Sequence, residues 1–306
     1  MHQSPIHFLN QAPKGYTIGL LREDLIDPLI SGNKYRKLKY ALKAFQQGSF
    51  QSILTFGGAF SNHLLATAAA GYQHNIPTIG IVRGAEWQTK IAASPTLAHC
   101  KHLGMELQCV AREQYAQWTL QAYQGVLPEG FEEVYMIPEG GSNEIGVQGC
   151  NEILGTHTAH FDTLCVCVGT GATLAGIAQT AGLDQQVLGF LALKHRELKA
   201  QIQNWAKGSA FELLEQYTFG GYAKIQPPLV DFMNRFYEVE RIALDPVYTG
   251  KMLFGIFDLI QKHQWTWGTK ILAIHTGGLQ GLRGMHQRLL DKGEPGFTYL
   301  SAWDGA

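Results

Sequence analysis

Lys34 stands where a lysine is electrostatically uncomfortable. It belongs to Ser31-Gly32-Asn33-Lys34-Tyr35-Arg36-Lys37-Leu38, and Tyr35, Leu38, Leu42 and Phe45 recur at helical spacing as far as Gly48, which closes the segment as a C-cap would. With Asn33 as the natural N-cap, Lys34 falls in the first helical turn, at the positive pole of the helix and among Arg36, Lys37 and Lys39. Both effects disfavour the ammonium form. An amine pushed toward neutrality is a nucleophile, and the usual nucleophilic task of a lysine is a Schiff base with a carbonyl compound. Taken alone, the segment reads more readily as an exposed basic helix end.

Four glycine-rich turns supply possible ligand groups. Gly169-Thr170-Gly171-Ala172-Thr173 follows an apolar run and opens a helix, so free backbone N–H groups, the helix dipole and the hydroxyls of Thr170 and Thr173 suit a compact monophosphate. It is neither a dinucleotide fingerprint, because Leu174 occupies the last glycine position, nor a Walker loop. A tight strand–helix turn is an equally good reading of it. Gly57-Gly58-Ala59-Phe60-Ser61-Asn62-His63 also runs from strand to helix, with Ser61 or Asn62 as N-cap and N–H groups able to bind a carboxylate. His63 reads as a first-turn residue rather than a metal ligand, since no second histidine stands at ligand spacing. Asp245-Pro246-Val247-Tyr248-Thr249-Gly250-Lys251 offers a phenol for acid/base work or for plain packing. His275-Thr276-Gly277-Gly278 ends an apolar run with a hydroxyl that could face a cofactor ring. Jointly, a nucleophilic lysine, a monophosphate loop, a carboxylate loop and ring-facing groups are the parts that an amino-acid enzyme using pyridoxal phosphate needs.

The elements that must position these turns alternate. Strands are expected at 53–56, 78–82, 106–110, 134–137, 164–168, 187–191 and 271–275, with helices at 63–72, 97–103, 146–154, 174–181 and 252–263. The strands are apolar on both faces, so an α/β fold with mostly parallel sheets and helices on both faces follows. A small-residue, uncharged stretch from 163 to 183 is split by Gly169-Thr170-Gly171 and reads as strand, loop and helix rather than a membrane span. The expected division is a larger domain of 1–40 plus 141–306 and a smaller one of 41–140.

Composition narrows the class without naming it. A chain of 306 residues with 45% hydrophobic content and a net charge of −1 is globular and gives no sign of a nucleic-acid partner. Five cysteines without a disulfide spacing fit the cytoplasm, and the opening ten residues lack the pattern of a signal peptide.

The order of Leu21-Arg22-Glu23-Asp24, Asn33-Lys34-Tyr35-Arg36-Lys37-Leu38, Gly57 to His63, Glu139-Gly140-Gly141-Ser142-Asn143, Gly169 to Thr173, Asp245 to Lys251 and His275 to Gly278 resembles the 1-aminocyclopropane-1-carboxylate deaminase/D-cysteine desulfhydrase family of fold-type II, tryptophan-synthase-β-like pyridoxal-phosphate enzymes. The resemblance implies two open, mostly parallel sheets, Lys34 as the Schiff-base lysine and Lys37 as a partner of the cofactor phosphate held by Gly169, Thr170, Gly171, Ala172 and Thr173. It further implies Asn62 at the pyridine hydroxyl, Ser61 with the N–H groups of Asn62 and His63 at the substrate carboxylate, Tyr248 and Tyr222 as active-site phenols, and Thr276 near the ring. A homodimer is likewise implied. Departures are Arg22 where the family usually has Lys, Ser31 in place of a glycine, and poorly matching stretches at 84–100 and 195–220.

Thr249 and Thr276 place the chain with the desulfhydrases, because the ring-opening deaminases resemble one another in carrying Glu and Leu there. The expected activity is therefore β-elimination from a small amino acid, most like D-cysteine, with 1-aminocyclopropane-1-carboxylate deamination as the rival enzyme reading. Rivals of other classes are a non-catalytic binder of pyridoxal phosphate or amino acids and a nucleotide-binding α/β protein.

Overall fold

The computed structural model describes residues 3–193 and 197–301, so the first residues of the 195–220 stretch lie outside it. The chain divides into two compact units, one of 1–33 and 150–306 and the other of 34–149. No helix among the described residues is long and apolar enough to cross a membrane.

The first unit is built on a six-stranded sheet. Its strands are β1 (Ile6–Phe8), β2 (Thr17–Leu21), β7 (Thr163–Val168), β8 (Gln186–Leu191), β9 (Glu212–Leu214) and β10 (Lys270–Ile274). They lie in the order β1-β2-β10-β7-β8-β9, and every pairing is parallel except β1 with β2. All six residues of β7 are buried. Successive side chains on a strand point to opposite faces, so β7 is covered on both sides, which is why it reads as an unbroken apolar run. The helices are α6 (Ala172–Thr180), α7 (Leu198–Ala206), α8 (Pro227–Glu240), α9 (Thr249–Gln261) and α10 (Leu282–Leu290), and the core gathers Phe190, Phe236, Leu253 and Ile256 with the strand interiors.

The second unit carries β3 (Ser52–Gly57), β4 (Thr78–Arg83), β5 (Glu106–Val110) and β6 (Val134–Ile137) in the order β5-β4-β3-β6, all parallel. Its helices are α1 (Asn33–Gln47), α2 (Asn62–His74), α3 (Pro95–His102), α4 (Arg112–Tyr123) and α5 (Glu144–Cys150); the first residue of α1 and the last of α5 belong to the other unit. Ser61 caps α2 by accepting from Leu64 N at 3.3 Å, and Ser94 caps α3 ahead of Pro95.

Several local expectations need correction. The helix placed at 146–154 begins at Glu144, because the Asn143 carboxamide accepts from Gly146 N at 2.8 Å and so acts as the cap. The strand placed at 271–275 spans Lys270–Ile274. Asn33 is the first residue of α1 rather than a flanking cap. Gly48 directly follows the last residue of α1, as expected of a helix end, although without left-handed backbone. Strands β1, β2 and β9 and helices α4, α7, α8 and α10 were not anticipated.

Candidate active site

In the 34–149 unit the chemistry gathers around the starts of α1 and α2. Lys34 is the second residue of α1, and Arg36 and Lys37 behind it are buried. The Lys37 ammonium donates to Gly140 O at 2.9 Å and to Ser142 Oγ at 3.3 Å, which ties α1 to the turn after β6. Gly57 is required for the loop that ends in Ser61: a Cβ there would lie 2.6 Å from Ser61 Oγ. Ser61 and Asn62 are half-buried, at the N-terminus of a helix with no acidic residue in its first turn. That end is suited to a carboxylate.

His63 is fully enclosed, and its tautomer can be deduced. Thr55 Oγ1 donates its one hydrogen to Ile137 O at 2.9 Å, so its 2.8 Å contact with His63 Nε2 must be donated by the imidazole. Nδ1 then presents a lone pair, and it has no hydrogen-bond partner among the described residues. Burial first, then the charges of Lys34 and Lys37, hold the proton affinity of the ring well below the ordinary histidine value. His63 is an uncharged imidazole in a cationic neighbourhood.

In the other unit, β7 is followed by the loop Gly169-Thr170-Gly171, and α6 begins directly after it. Gly171 has φ +92°, and a Cβ on it would lie 2.4 Å from Ile202, so glycine is needed both for conformation and for space. The first N–H groups of α6 have no helical acceptor and no carboxylate stands in its first turn, so the loop fits a dianionic phosphate. Thr173 Oγ1 accepts from the Asn33 carboxamide at 2.8 Å, which ties the residue before Lys34 to this loop. The Asn33 N–H also bonds Thr276 O at 3.3 Å. Gly32, with φ +64°, lies so close that a Cβ would meet Thr276 O at 1.9 Å.

Tyr248 lies over Gly169, whose Cβ would come 3.1 Å from its ring. Tyr222 meets it edge-on, with ring centroids 6.3 Å apart at 63°, and the two phenols are hydrogen-bonded. Burial, the neighbouring phenol and the Asp245 carboxylate push the Tyr248 hydroxyl well above the usual tyrosine value, so it stays protonated at neutral pH. Asp245 Oδ1 accepts from Val247 N at 3.1 Å and Tyr248 N at 2.6 Å, and so folds the turn that presents the phenol. Thr276 Oγ1 lies 3.2 Å from Cys167 Sγ, while the buried Thr249 hydroxyl meets no hydrogen-bond partner among the described residues. Behind Thr276, His275 is fixed between Ala243 O at 2.9 Å and the N–H of Gly277 at 3.2 Å. Arg22, the departure from the usual Lys, forks onto Asp24 with contacts of 2.7 to 3.2 Å.

Residue type alone marks the nucleophile, phenols and glycines of this site in the sequence. Nothing in the sequence marks Thr55, which sets the His63 tautomer, or Lys251, which is buried beside the turn that carries Tyr222.

Comparison with known proteins bears on this arrangement. A family model described as "Pyridoxal-phosphate dependent enzyme" matches residues 2–277. A Pyrococcus horikoshii protein provisionally named a 1-aminocyclopropane-1-carboxylate deaminase is 30% identical, over 94% of this chain and 93% of its own length. The mitochondrial bifunctional D-cysteine desulfhydrase/1-aminocyclopropane-1-carboxylate deaminase of Arabidopsis thaliana is 28% identical, covering 91% of this chain and 77% of the relative. The crystal structure of an ACC deaminase homologue superposes with a TM-score of 0.80 at 28% identity, over 95% of this chain and 94% of that one.

Proposed function

Because the chain belongs to the pyridoxal-phosphate-dependent enzyme family, among relatives named for 1-aminocyclopropane-1-carboxylate deaminase and D-cysteine desulfhydrase, we propose that it catalyses β-elimination from a small amino acid, with D-cysteine as the substrate it fits best. Its cofactor is pyridoxal 5'-phosphate, which when bound supplies an electron sink for negative charge developing at the substrate Cα. In this reading Lys34 carries the cofactor, Gly169 to Thr173 and Lys37 hold its phosphate, and Asn62 meets the pyridine hydroxyl. Ser61 and the N–H groups of Asn62 and His63 bind the substrate carboxylate.

Once released, the Lys34 amine takes the proton from Cα. The Cβ–S bond breaks, and the departing hydrosulfide takes its proton from the Lys34 ammonium, while the Tyr248 Oη–H, held protonated, serves as a hydrogen-bond donor to the sulfur. Tyr222 hydrogen-bonds that phenol. The enamine left behind reacts with water to give pyruvate and ammonia, so D-cysteine and one water yield pyruvate, ammonia and hydrogen sulfide.

The observation that favours elimination over ring opening is the pair of neutral hydroxyls at Thr249 and Thr276, the latter against the Cys167 thiol. A carboxylate near the pyridine nitrogen would keep it protonated and deepen the sink, as breaking a carbon–carbon bond requires. A hydroxyl leaves a shallower sink, sufficient to expel thiolate. No disulfide links the five cysteines among the described residues, which supports a cytoplasmic site of action, and the reading includes a homodimer.

The test is purified enzyme loaded with pyridoxal phosphate and given D-cysteine, L-cysteine or 1-aminocyclopropane-1-carboxylate in parallel. Pyruvate and sulfide from D-cysteine, abolished in Lys34→Ala together with the visible band of lysine-bound cofactor, are expected. Faster release of 2-oxobutyrate from the cyclopropane substrate would overturn the assignment, and a cofactor band without turnover of any amino acid would favour a binding protein.

A further inference from the structure

A buried cation outside this chemistry sits three residues beyond Tyr248. Lys251 lies in the first turn of α9 and is 2% exposed. Burial strips water from an ammonium, and the positive end of a helix opposes it again, so a lysine is tolerated there only when each of its hydrogens is accepted. The Nζ of Lys251 donates to Thr218 O at 2.9 Å, Gly221 O at 2.9 Å and Ala192 O at 3.4 Å, three carbonyls for three hydrogens. Burial pulls its pKa down to about 8, with the Asp245 carboxylate opposing the shift.

The carbonyls come from two separate segments. Ala192 follows β8, whereas Thr218 and Gly221 belong to the turn that carries Tyr222. That turn is left-handed at Phe219, Gly220, Gly221 and Ala223, with φ of +52°, +91°, +124° and +53°. Left-handed backbone at two non-glycine residues persists only where the surroundings enforce it. The turn and Leu193 line a cavity of about 510 Å³, so among the described residues no apolar packing fills that side of the turn.

We propose that Lys251 is the positioning residue of Tyr222, its ammonium fastening the carbonyls of Thr218 and Gly221 to that of Ala192 so that the Tyr222 phenol is held against Tyr248. The proposal rests on the reading of these two phenols as active-site groups. It assigns the ammonium a job that any small cation with N–H donors could perform in the space the side chain vacates.

The experiment uses Lys251→Ala, Lys251→Met and Lys251→Met combined with Tyr222→Phe. In the holoenzyme, Lys251→Ala should lose at least about tenfold in kcat with a smaller change in KM, and methylammonium should restore it saturably, whereas tetramethylammonium at equal ionic strength should not. The apoprotein of Lys251→Ala should gain thermal stability from methylammonium while the wild type does not. Lys251→Met should have no further effect once Tyr222 is phenylalanine, because its effect runs through that phenol. Loss of activity that methylammonium does not restore, or a Lys251→Met effect undiminished in the Tyr222→Phe background, would overturn the assignment. Methylammonium rescue of apoprotein stability with kcat untouched would leave the clamp standing and remove Tyr222 from the reaction.

Discussion

Gly32 lends itself to a substitution whose cost can be worked out from two distances. At φ +64° an alanine costs about 1 kcal/mol for the left-handed backbone. Its Cβ would also stand 1.9 Å from Thr276 O, where a carbon reaches a carbonyl oxygen no closer than about 3 Å. Backbone on one side or the other must therefore yield by roughly 1 Å, an overpacking cost of about 1–3 kcal/mol. The movement falls on the Asn33 N–H bond to Thr276 O and on the Asn33–Thr173 bond, both of which anchor the residue before Lys34. Gly32→Ala should lose about 2–4 kcal/mol in urea unfolding and, since a 1 Å misplacement costs on the order of 100-fold, about that factor in pyruvate release from D-cysteine. Gly15 is the matched control: its φ is +90° and a Cβ there would meet nothing within 4 Å. Gly15→Ala should lose only about 1 kcal/mol and keep its activity. If the two variants match in both stability and rate, the close approach of Gly32 to Thr276 has no energetic meaning and the reasoning fails.

Two further outcomes follow from buried polar groups. Thr55→Val removes both the acceptor for His63 Nε2–H and the donor to Ile137 O, so it should cost about 2–4 kcal/mol in chemical denaturation, and a loss under half a kcal/mol would refute the tautomer. At Asp24, burial raises the carboxyl pKa, but His275 and then Arg22 overcome it and leave the net value lowered. A carboxyl depressed on folding adds stability above its unfolded value near 3.8, and that stability is lost as pH falls through the folded value. Arg22→Gln should therefore cost about 3 kcal/mol at neutral pH and progressively less below about pH 4, as followed by denaturation at a series of pH values; a deficit that grows in acid would contradict the ion pair.

The parallel strands were legible because burial on both faces leaves no polar alternation: β7 and β3 read as apolar runs ended by glycines. The edge strands β1 and β9 span three residues each, too short for any period to register. Helix α4 buries Tyr115, Thr119 and Ala122, a stripe too polar to signal a core face. Helix α8 is a different kind of miss, for its buried Leu229, Met233, Phe236 and Tyr237 follow helical spacing after a Pro-Pro start. Within the candidate site, Lys34, Tyr248 and the glycines announce themselves by residue type. Lys251 and Thr55 do not, because their partners are main-chain carbonyls, and every residue in a chain has one of those.

The unit of 34–149 leaves and rejoins the rest of the chain at positions that touch one another. A Cβ on Gly149 would lie 2.0 Å from Arg36 O, so the two ends of this segment run side by side. A segment with adjacent ends is, in topological terms, an insertion, and its boundaries can be rewired without stretching it. Joining 149 to 34 through a short glycine linker and opening the unit at the exposed Gly104 turn would give a circular permutant that keeps the β5-β4-β3-β6 order, a route by which such a module could be exchanged, split or carried into another host chain.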